Sequence, residues 1–345
     1  MRKSLFAESG VHAVVDGQYG STGKGVLEAW LAERAYESGK EFKTAMSNAG
    51  PNSGHTFYDT GGNKHVLKQL PTFAVATYLM GGKITATLTA GAIIDPEILY
   101  EEARRYPGLD IWVHNNAAVI TPELKEAEKS GSIAAVAGTR SGTGAALARK
   151  IERHPDAIWG NQKFDPNRPR NILSYGWESH SAKNVRVFLE VSQGFSLGIH
   201  SRFYPKVTSR ECTVAQGMAD ARLAPYSLSR CYMAIRTFPI RVGNVDGFSS
   251  GEWYADQEET SWDDLQQTPE LTTVTKRVRR VASFSYEQFM DATAANDPDF
   301  VFLNFVNYLP FNEAKKLARQ LRALRGNIHY LYGTSPYSNG VRDVL

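Results

Sequence analysis

Short apolar runs recur along the chain, and glycine or small polar residues follow each of them directly. Runs of this length, apolar on both faces, are typical of strands in a parallel sheet. Five such runs cover residues 11–15, 111–113, 185–191, 300–303 and 328–332. Because parallel strands end at the same edge of a sheet, we expect ligand-binding residues where these runs end.

Apolar residues spaced three or four apart predict helices between several of these strands. Residues 25–38 form one such pattern, which ends at Gly39, and residues 312–325 form another. Strands that alternate with helices predict an α/β fold with a single large, mostly parallel central sheet flanked by helices. Residues 155–184 and 245–270 are polar and irregular, so we interpret them as loop excursions from one domain that spans residues 1–345.

Composition and charge narrow the class of protein. The chain has 345 residues, 42% of them hydrophobic and 22% charged, as in ordinary globular proteins. A net charge of +3 is too small to favour a nucleic-acid coat or a polybasic membrane anchor. Cys212 and Cys231 lack metal-binding spacing and indicate reduced thiols. No apolar run approaches ~18 residues, so we expect a cytoplasmic protein without a membrane span.

The first strand leads into a glycine-rich turn, Asp16–Gly25, that contains Lys24. A strand, glycine turn, lysine and helix in this order present backbone N–H groups and a helix N-terminus to phosphate. The turn differs from the common phosphate loop GxxxxGK[ST], because Gln18 replaces its first glycine and Gly25 its Ser/Thr. The alternative is a flexible turn with a solvated lysine.

A second segment, residues 48–56, places His55 between Gly54 and Thr56 among small polar residues. A lone histidine is more often structural than catalytic, but this setting makes contact with a ligand more favourable than an apolar stripe would. Together with residues 18–25, it resembles the signature of the adenylosuccinate synthetase family. The resemblance continues in order through residues 138–153, 190–209, 241–243, 272–280 and 333–336. It implies a ligase that transfers a γ-phosphoryl group to O6 of a 6-oxopurine nucleotide, after which the amino group of L-aspartate displaces the phosphate.

The resemblance also implies a role for individual residues. The catalytic residues would be Ser21, Lys24, His55 and Gln193. The phosphoryl donor would contact Gly20, Thr22, Gly23, Lys24, Gly25, Thr56, Asn304, Asn307, Gly333, Thr334 and Pro336. The purine nucleotide would contact Ser21, Asn52, Thr139, Arg153, Gln193, Thr208, Thr213 and Arg241. Mg²⁺ would be held by Ser21 and the carbonyl of Gly54.

The aspartate carboxylates would lie in a basic loop, where guanidinium groups bind carboxylates bidentately. Its residues would be Thr273, Val274, Thr275, Arg277 and Arg279. On the residues alone, a solvated basic loop or a nucleic-acid patch explains the cations at 276–280 equally well. The resemblance favours the aspartate loop, and it implies a homodimer in which Arg153 reaches the neighbouring active site.

One departure from the family pattern concerns the purine. Ser21 stands where the family carries an Asp that acts as base toward purine N1 and as a magnesium ligand. A neutral hydroxyl fills neither role fully, but its smaller size makes room for a 2-amino group. The Gly20–Gly25 sequence resembles the phage branch of the family, which implies dGMP as substrate and N6-succino-2-amino-2′-deoxyadenylate as product. Ser21 and a water beside it are both candidates for the replacement base.

A second departure concerns the phosphoryl donor. Phe305 and Asn307 occupy the positions of the family's guanine-reading Lys and Asp. Loss of a charge-assisted pair costs about 1.5–3 kcal/mol, and an amide suits an adenine edge, so we expect ATP or dATP. A strand-end cap without base contact is the alternative for Asn307. Two other functions stay open: a conventional synthetase that uses IMP, and a nucleotide sensor without turnover.

Overall fold

The computed structural model describes residues 4–130, 140–163, 165–176, 182–245, 248–272 and 276–344. Its strands are β1 (Gly10–Asp16), β2 (Thr44–Ser47), β3 (His55–Tyr58), β4 (Lys64–Leu67), β5 (Thr85–Leu88), β6 (Ile93–Ile94), β7 (Asp110–His114), β8 (Ala118–Val119), β9 (Ile172–Tyr175), β10 (Arg186–Glu190), β11 (Leu228–Arg236), β12 (Ile240–Arg241), β13 (Glu259–Thr260), β14 (Arg280–Ala282), β15 (Phe300–Asn304), β16 (His329–Gly333) and β17 (Val341–Arg342). Its helices are α1 (Lys24–Glu37), α2 (Thr72–Leu79), α3 (Pro96–Arg105), α4 (Pro122–Ser130), α5 (Thr143–Ile151), α6 (Val214–Asp220), α7 (Tyr286–Asn296) and α8 (Phe311–Leu324).

Within the described residues, ten strands form the central sheet, in the order β17-β16-β15-β11-β1-β10-β2-β5-β7-β9. Neighbouring strands are parallel except for β16 and β17, which are antiparallel. This confirms the predicted fold class. The five predicted strands correspond to β1, β7, β10, β15 and β16, and the two predicted helices to α1 and α8.

Apolar residues cover both faces of the sheet, which explains why its strands read as nearly continuous apolar runs. Along β1, Val14 packs toward α1 and α2, whereas Ala13 and Val15 pack toward α6, α7 and α8. All seven residues of β1 are buried. The strand that carries the glycine turn therefore lies in the middle of the core, which fixes the position of the turn.

The interpretation of residues 155–184 and 245–270 purely as loop excursions is wrong at two places. Residues Ile172–Tyr175 form β9, the edge strand beside β7. Its middle residues are exposed and only its ends are buried, so it carries no alternating apolar pattern. Glu259–Thr260 forms β13, which pairs with β14 in a separate sheet of three strands.

Two smaller antiparallel units lie beside the central sheet. β3 and β4 form an antiparallel hairpin, and β12, β14 and β13 form an antiparallel sheet in that order. Both lie on the sequence segments that follow the carboxyl ends of central strands. In the part of the chain that the structure describes, no helix combines the length and the apolar character that crossing a bilayer requires.

Candidate active site

A cavity of about 600 Å³ lies at the carboxyl ends of β1, β10 and β15. It brings together most residues that the sequence predicted for the site. The predicted residues that line it are Gly20, Ser21, Thr22, Gly23, Lys24, Gly25, Asn52, Gly54, His55, Thr56, Gln193, Thr208, Arg277, Arg279, Asn304, Asn307 and Pro336. We refer to residues 16–26, 52–58 and 193 as the phosphate side, and to residues 270–272 and 276–280 as the aspartate side.

The glycine turn after β1 is organised around the buried carboxylate of Asp16. One carboxylate oxygen accepts hydrogen bonds from the N–H groups of Gln18 (2.9 Å) and Gly20 (3.2 Å). The other accepts one from the Thr22 hydroxyl (2.6 Å). Because these donors belong to the turn itself, Asp16 fixes the backbone of the turn and is not available to a ligand.

Lys24 connects the turn to the end of β10. Its ammonium nitrogen donates a hydrogen bond to the carbonyl of Gln193 (3.1 Å) and lies 3.6 Å from the Asp16 carboxylate. The Lys24 side chain is only 4% exposed, so a phosphate would meet a cation with little competition from water. The Gln193 amide in turn donates to the Ser53 hydroxyl (3.0 Å), which joins the two segments around the cavity.

Of two glycines beside Lys24, Gly23 is shared with the common phosphate loop and Gly25 replaces its Ser/Thr. Gly23, the residue before α1, has a φ of 91° in the left-handed region that glycine adopts without strain. Gly25 occupies the usual Ser/Thr position, and a Cβ there would lie 2.5 Å from the carbonyl oxygen of Thr56. Close contact between α1 and the β3 strand therefore excludes a side chain at Gly25.

His55 is the first residue of β3 and lies at the edge of the cavity. Its Nδ1 is 2.6 Å from a carboxylate oxygen of Glu190, the last residue of β10. The other oxygen of Glu190 accepts a hydrogen bond from the N–H of Thr72 (2.8 Å), at the start of α2. Burial alone would raise the pKa of Glu190, but the charge and hydrogen bond of His55 outweigh it and hold the pKa low. An ionised Glu190 orients the ring and leaves Nε2 for the cavity.

The part of the cavity predicted to bind the phosphoryl donor lies directly after β15. Asn304 donates a hydrogen bond to the carbonyl of Thr22 (3.2 Å), which ties this strand to the phosphate turn. Phe305 has a φ of 59°, and the guanidinium of Arg236 stacks on its ring at 4.0 Å. Asn307 lines the cavity beside this stack.

The aspartate side is held by a pair of charged groups. The fully buried guanidinium of Arg236 makes two hydrogen bonds to the Glu270 carboxylate, at 2.5 and 3.2 Å, and a third to the carbonyl of Ser21 at 3.1 Å. Tyr308 also donates to Glu270 (3.3 Å), and burial with this carboxylate raises the pKa of Tyr308 to about 12. The phenol thus stays protonated and acts as a donor.

Two predicted arginines lie on this side of the cavity. The N–H of Arg277 donates to the Thr272 hydroxyl (2.9 Å), and the N–H of Arg279 donates to the carbonyl of Glu270 (2.9 Å). Burial lowers the pKa of Arg279. These contacts fix the main chain of both arginines, and both residues line the cavity.

Several predicted residues do not line the cavity. Thr213 instead caps α6, and its hydroxyl accepts a hydrogen bond from the N–H of Gln216. Arg241 donates to the carbonyl of Ser250 (2.7 Å) and stacks on Tyr19 at 4.6 Å. The Thr334 hydroxyl donates to the Gly340 carbonyl, Gly333 ends β16, and Arg153 lines a separate cavity. Thr139, Thr273, Val274 and Thr275 lie outside the described residues.

Sequence reasoning missed the charged groups behind the cavity. Asp16, Glu28, Glu190, Arg236 and Glu270 were not among the predicted site residues. Asp16 and Glu190 carry a recognisable signal, since each is a carboxylate at the very end of an apolar strand. Glu28 and Glu270 carry none, because their partners are distant in the sequence.

The fold and the site define a class of protein: a nucleotide-binding α/β enzyme with a phosphate turn at the centre of a parallel sheet. The adenylosuccinate synthetase family model matches residues 13–159 and 170–322, and the chain belongs to this family. It is therefore a ligase that forms carbon–nitrogen bonds.

Individual relatives point to one branch of the family. The N6-succino-2-amino-2′-deoxyadenylate synthase of Vibrio phage phiVC8 is 36% identical over 309 residues, which cover 87% of this chain and 86% of the relative. The enzyme of the same name from Salmonella phage PMBT28 is 37% identical over 328 residues, with coverage of 87% and 86%. The adenylosuccinate synthetase of Pyrococcus sp. strain ST700 is 28% identical over 282 residues, with coverage of 79% and 77%.

Solved structures agree with this placement. The succinoaminodeoxyadenylate synthetase of cyanophage S-2L, bound to dGMP and to dATP as an energy donor, superposes with a TM-score of 0.86 at 33% identity, covering 97% of this chain and 95% of its own. The fully ligated adenylosuccinate synthetase of Plasmodium falciparum has a TM-score of 0.74 at 16% identity, covering 96% and 99%. The second likeness shows the fold alone.

Proposed function

We propose that this protein condenses L-aspartate with dGMP, driven by ATP or dATP, to give N6-succino-2-amino-2′-deoxyadenylate. One observation carries the proposal: the phosphate turn offers no free carboxylate to the purine. Ser21 lines the cavity with a φ of 56°, and the one carboxylate of the turn, Asp16, is saturated by the turn's own donors. The cyanophage relative with this fold binds dGMP and dATP.

The reaction proceeds in two steps that the cavity accommodates. The γ-phosphoryl group of the donor forms a bond to purine O6 as its bond to the β-phosphate oxygen breaks. The proton on purine N1 is lost in this step to Ser21 or to a water beside it. The amine of aspartate then bonds to C6 and releases a proton, and the phosphate leaves with O6. Phosphoryl transfer depends chiefly on positioning and charge neutralisation. We assign the neutralisation to Lys24 and the turn N–H groups, and proton donation to His55 Nε2.

The remaining ligands are assigned by their place in the cavity. Asn52 and Gln193 lie on the phosphate side, where O6 would receive the phosphoryl group, and Thr208 lies nearby. Asn307, beside the Phe305–Arg236 stack, would read the adenine edge of the donor. Arg277 and Arg279 would hold the aspartate carboxylates.

The residues present fit a magnesium ion. Mg²⁺ takes oxygen ligands and uses few protein groups when phosphates supply the rest. The Ser21 hydroxyl and the Gly54 carbonyl are oxygen donors in residues that both line the cavity. Bound there, the ion would neutralise charge on the transferred phosphoryl group.

We also propose a homodimer in the host cytoplasm, in which Arg153 completes the neighbouring subunit's site. Arg153 lines a separate cavity of about 430 Å³ with Lys150, Arg210 and Asp220. Because Arg153 does not line its own subunit's main cavity, a contact between Arg153 and the 5′-phosphate would be made in the neighbouring subunit. Mixing inactive Arg153→Leu and Lys24→Met subunits should restore partial activity; no recovery would argue against shared sites.

The test of the function is a substrate panel. Purified protein with aspartate, Mg²⁺ and ATP, dATP or GTP is supplied with dGMP, GMP or IMP, and phosphate release and product mass are measured. We expect the fastest turnover with dGMP and an adenine donor. Faster turnover of IMP would support a conventional synthetase instead. Ser21→Asp should shift preference toward IMP; an unchanged preference for dGMP would show that Ser21 does not select the purine.

A further inference from the structure

Glu28 lies directly behind the catalytic histidine. It is on α1, one turn after Lys24, and its side chain is fully buried. One ligand atom from each of Glu28, His55 and Glu190 lies within 4.8 Å of the other two. Among the described residues, neither carboxyl oxygen of Glu28 has a hydrogen-bond partner within normal geometry. A buried polar group without a partner is costly, so its protonation state needs an explanation.

Two ionised carboxylates at this position would repel each other in a region that excludes water. A metal ion between them is a poor solution, because one oxygen of Glu190 already accepts from the Thr72 N–H and the other lies 2.6 Å from His55 Nδ1. The cationic Lys24 side chain, on the same face of α1, would also oppose a second cation. Burial and the charge of Glu190 raise the pKa of Glu28 well above its ordinary value. A neutral carboxylic acid therefore fits this position best.

A neutral Glu28 has an O–H group to donate, and Glu190 is the acceptor next to it. Glu190 would then be held from three elements: by His55 from β3, by the Thr72 N–H from α2 and by Glu28 from α1. With all three contacts made, the carboxylate has no freedom to rotate away from the imidazole. The orientation of His55 in the cavity depends on this fixed position of the Glu190 carboxylate.

We propose that Glu28 is a positioning residue: as a neutral acid it donates a hydrogen bond to Glu190 and so fixes His55 for phosphoryl transfer. The inference rests on the proposed function, because its kinetic effect is read as ligase turnover. It adds to that function a buried side chain that never touches a substrate.

The decisive pair of variants is Glu28→Gln and Glu28→Leu. Glutamine keeps a neutral donor of the same length, whereas leucine keeps the volume and removes the donor. We expect Glu28→Gln to retain at least about a third of kcat. Glu28→Leu should lose about ten- to a hundredfold, since a hydrogen bond to a charged group is worth about that factor. The KM values should stay within about twofold in both, because no substrate contact is lost.

The control variant Glu102→Leu distinguishes a purely structural role from a positioning role. Glu102 is also a buried carboxyl, but it accepts from the N–H groups of Lys68, Gln69 and Leu70 and does not line the cavity. Its loss should lower the thermal midpoint and leave the kcat of folded enzyme unchanged. Glu28→Leu should instead lower kcat without lowering the thermal midpoint, because an apolar side chain replaces a buried polar group.

Three results would overturn the inference: equal kcat in Glu28→Gln and Glu28→Leu, a metal ion that copurifies with wild type but not with Glu28→Gln, or an ionised Glu28. The protonation state of Glu28 is measured without turnover, from the infrared carbonyl stretch of a protonated carboxylic acid. This band should be present in wild type and lost in Glu28→Gln. If wild type turns over no 6-oxopurine while that band is present, the proposed function fails and the neutral Glu28 stands.

Discussion

The phosphate side and the aspartate side of the cavity are held in place by different kinds of contact. On the phosphate side, main-chain groups supply most of the partners. Asp16 accepts from N–H groups two and four residues away, and Lys24 donates to the carbonyl of Gln193. Such contacts fix the backbone itself, which is what a phosphate cradle made of N–H groups requires.

On the aspartate side, charged side chains from distant parts of the sequence hold each other. Arg236 pairs with Glu270, and Arg280 pairs with Glu259 at 2.6 Å. Side-chain pairs position a loop without fixing every peptide group in it. We therefore expect the chemical step to depend on the phosphate side and amino-acid binding to depend on the aspartate side.

The sharpest test of this division is Lys24→Met. Removal of a preorganised charge from a phosphoryl-transfer site costs about 10²–10³ in kcat. We expect that loss with little change in the KM for aspartate, measured by steady-state kinetics. The matched change on the other side, Arg277→Leu, should chiefly raise the KM for aspartate. If both variants altered the same constant, the two sides would not be functionally separate.

The next largest effect concerns the stability of the aspartate side. Arg236→Met leaves the Glu270 carboxylate without its cation in a partly buried position. Breaking a fully buried pair costs about 3–5 kcal/mol. We expect about 2–3 kcal/mol in urea unfolding, because Glu270 is 25% exposed. The double variant Arg236→Met, Glu270→Gln should recover most of this loss. Without recovery, the stacking of Arg236 on Phe305 would be the main contribution.

The same division explains what the sequence could and could not predict. Gly20 and Gly23 act through local backbone geometry, so consecutive residues carry the signal for the turn. Arg236 and Glu270 are 34 residues apart, and nothing in either segment indicates the other. Their pairing depends on how β11 and the aspartate side meet, which only the folded chain determines.

Glu28 shows more clearly what the sequence alone could not predict. A glutamate near the N-terminus of a helix is normally interpreted as a solvent-exposed residue whose negative charge interacts favourably with the helix dipole. It is buried because α1 packs against α2 and β3, which brings Glu28 close to Glu190, 162 residues later at the end of β10. Edge strand β9 was missed for a related reason, since its burial comes from neighbours rather than from an alternating pattern.

A smaller effect tests the main-chain contact on the phosphate side. Gly→Ala in a helix normally stabilises a protein. At Gly25, however, the new Cβ would lie 2.5 Å from the Thr56 carbonyl oxygen. We therefore expect Gly25→Ala to destabilise the protein by about 1–3 kcal/mol, measured as a lower thermal midpoint. A higher midpoint would mean that α1 and β3 can separate without cost.

The smallest effect concerns the outer end of the hairpin that carries His55. Burial opposes ionisation of Asp59, but hydrogen bonds from Asn63 and His65 outweigh it and lower the pKa of Asp59 to about 2. A carboxyl whose pKa is lower in the folded protein than its unfolded value of about 3.9 stabilises the fold when ionised. That stabilisation is present above about pH 4 and is lost as the pH falls toward 2.

Asp59→Asn should therefore lower stability by up to about 1 kcal/mol at pH 6, and the difference from wild type should shrink steadily between pH 4 and pH 2. Thermal midpoints across that range measure it. The amide retains the shape of the side chain and an acceptor for the Asn63 N–H, so the pH-dependent part reports charge alone. A difference that did not change with pH would mean that geometry, and not charge, holds the hairpin turn. The hairpin turn would then be held by hydrogen-bond geometry, as the phosphate side is.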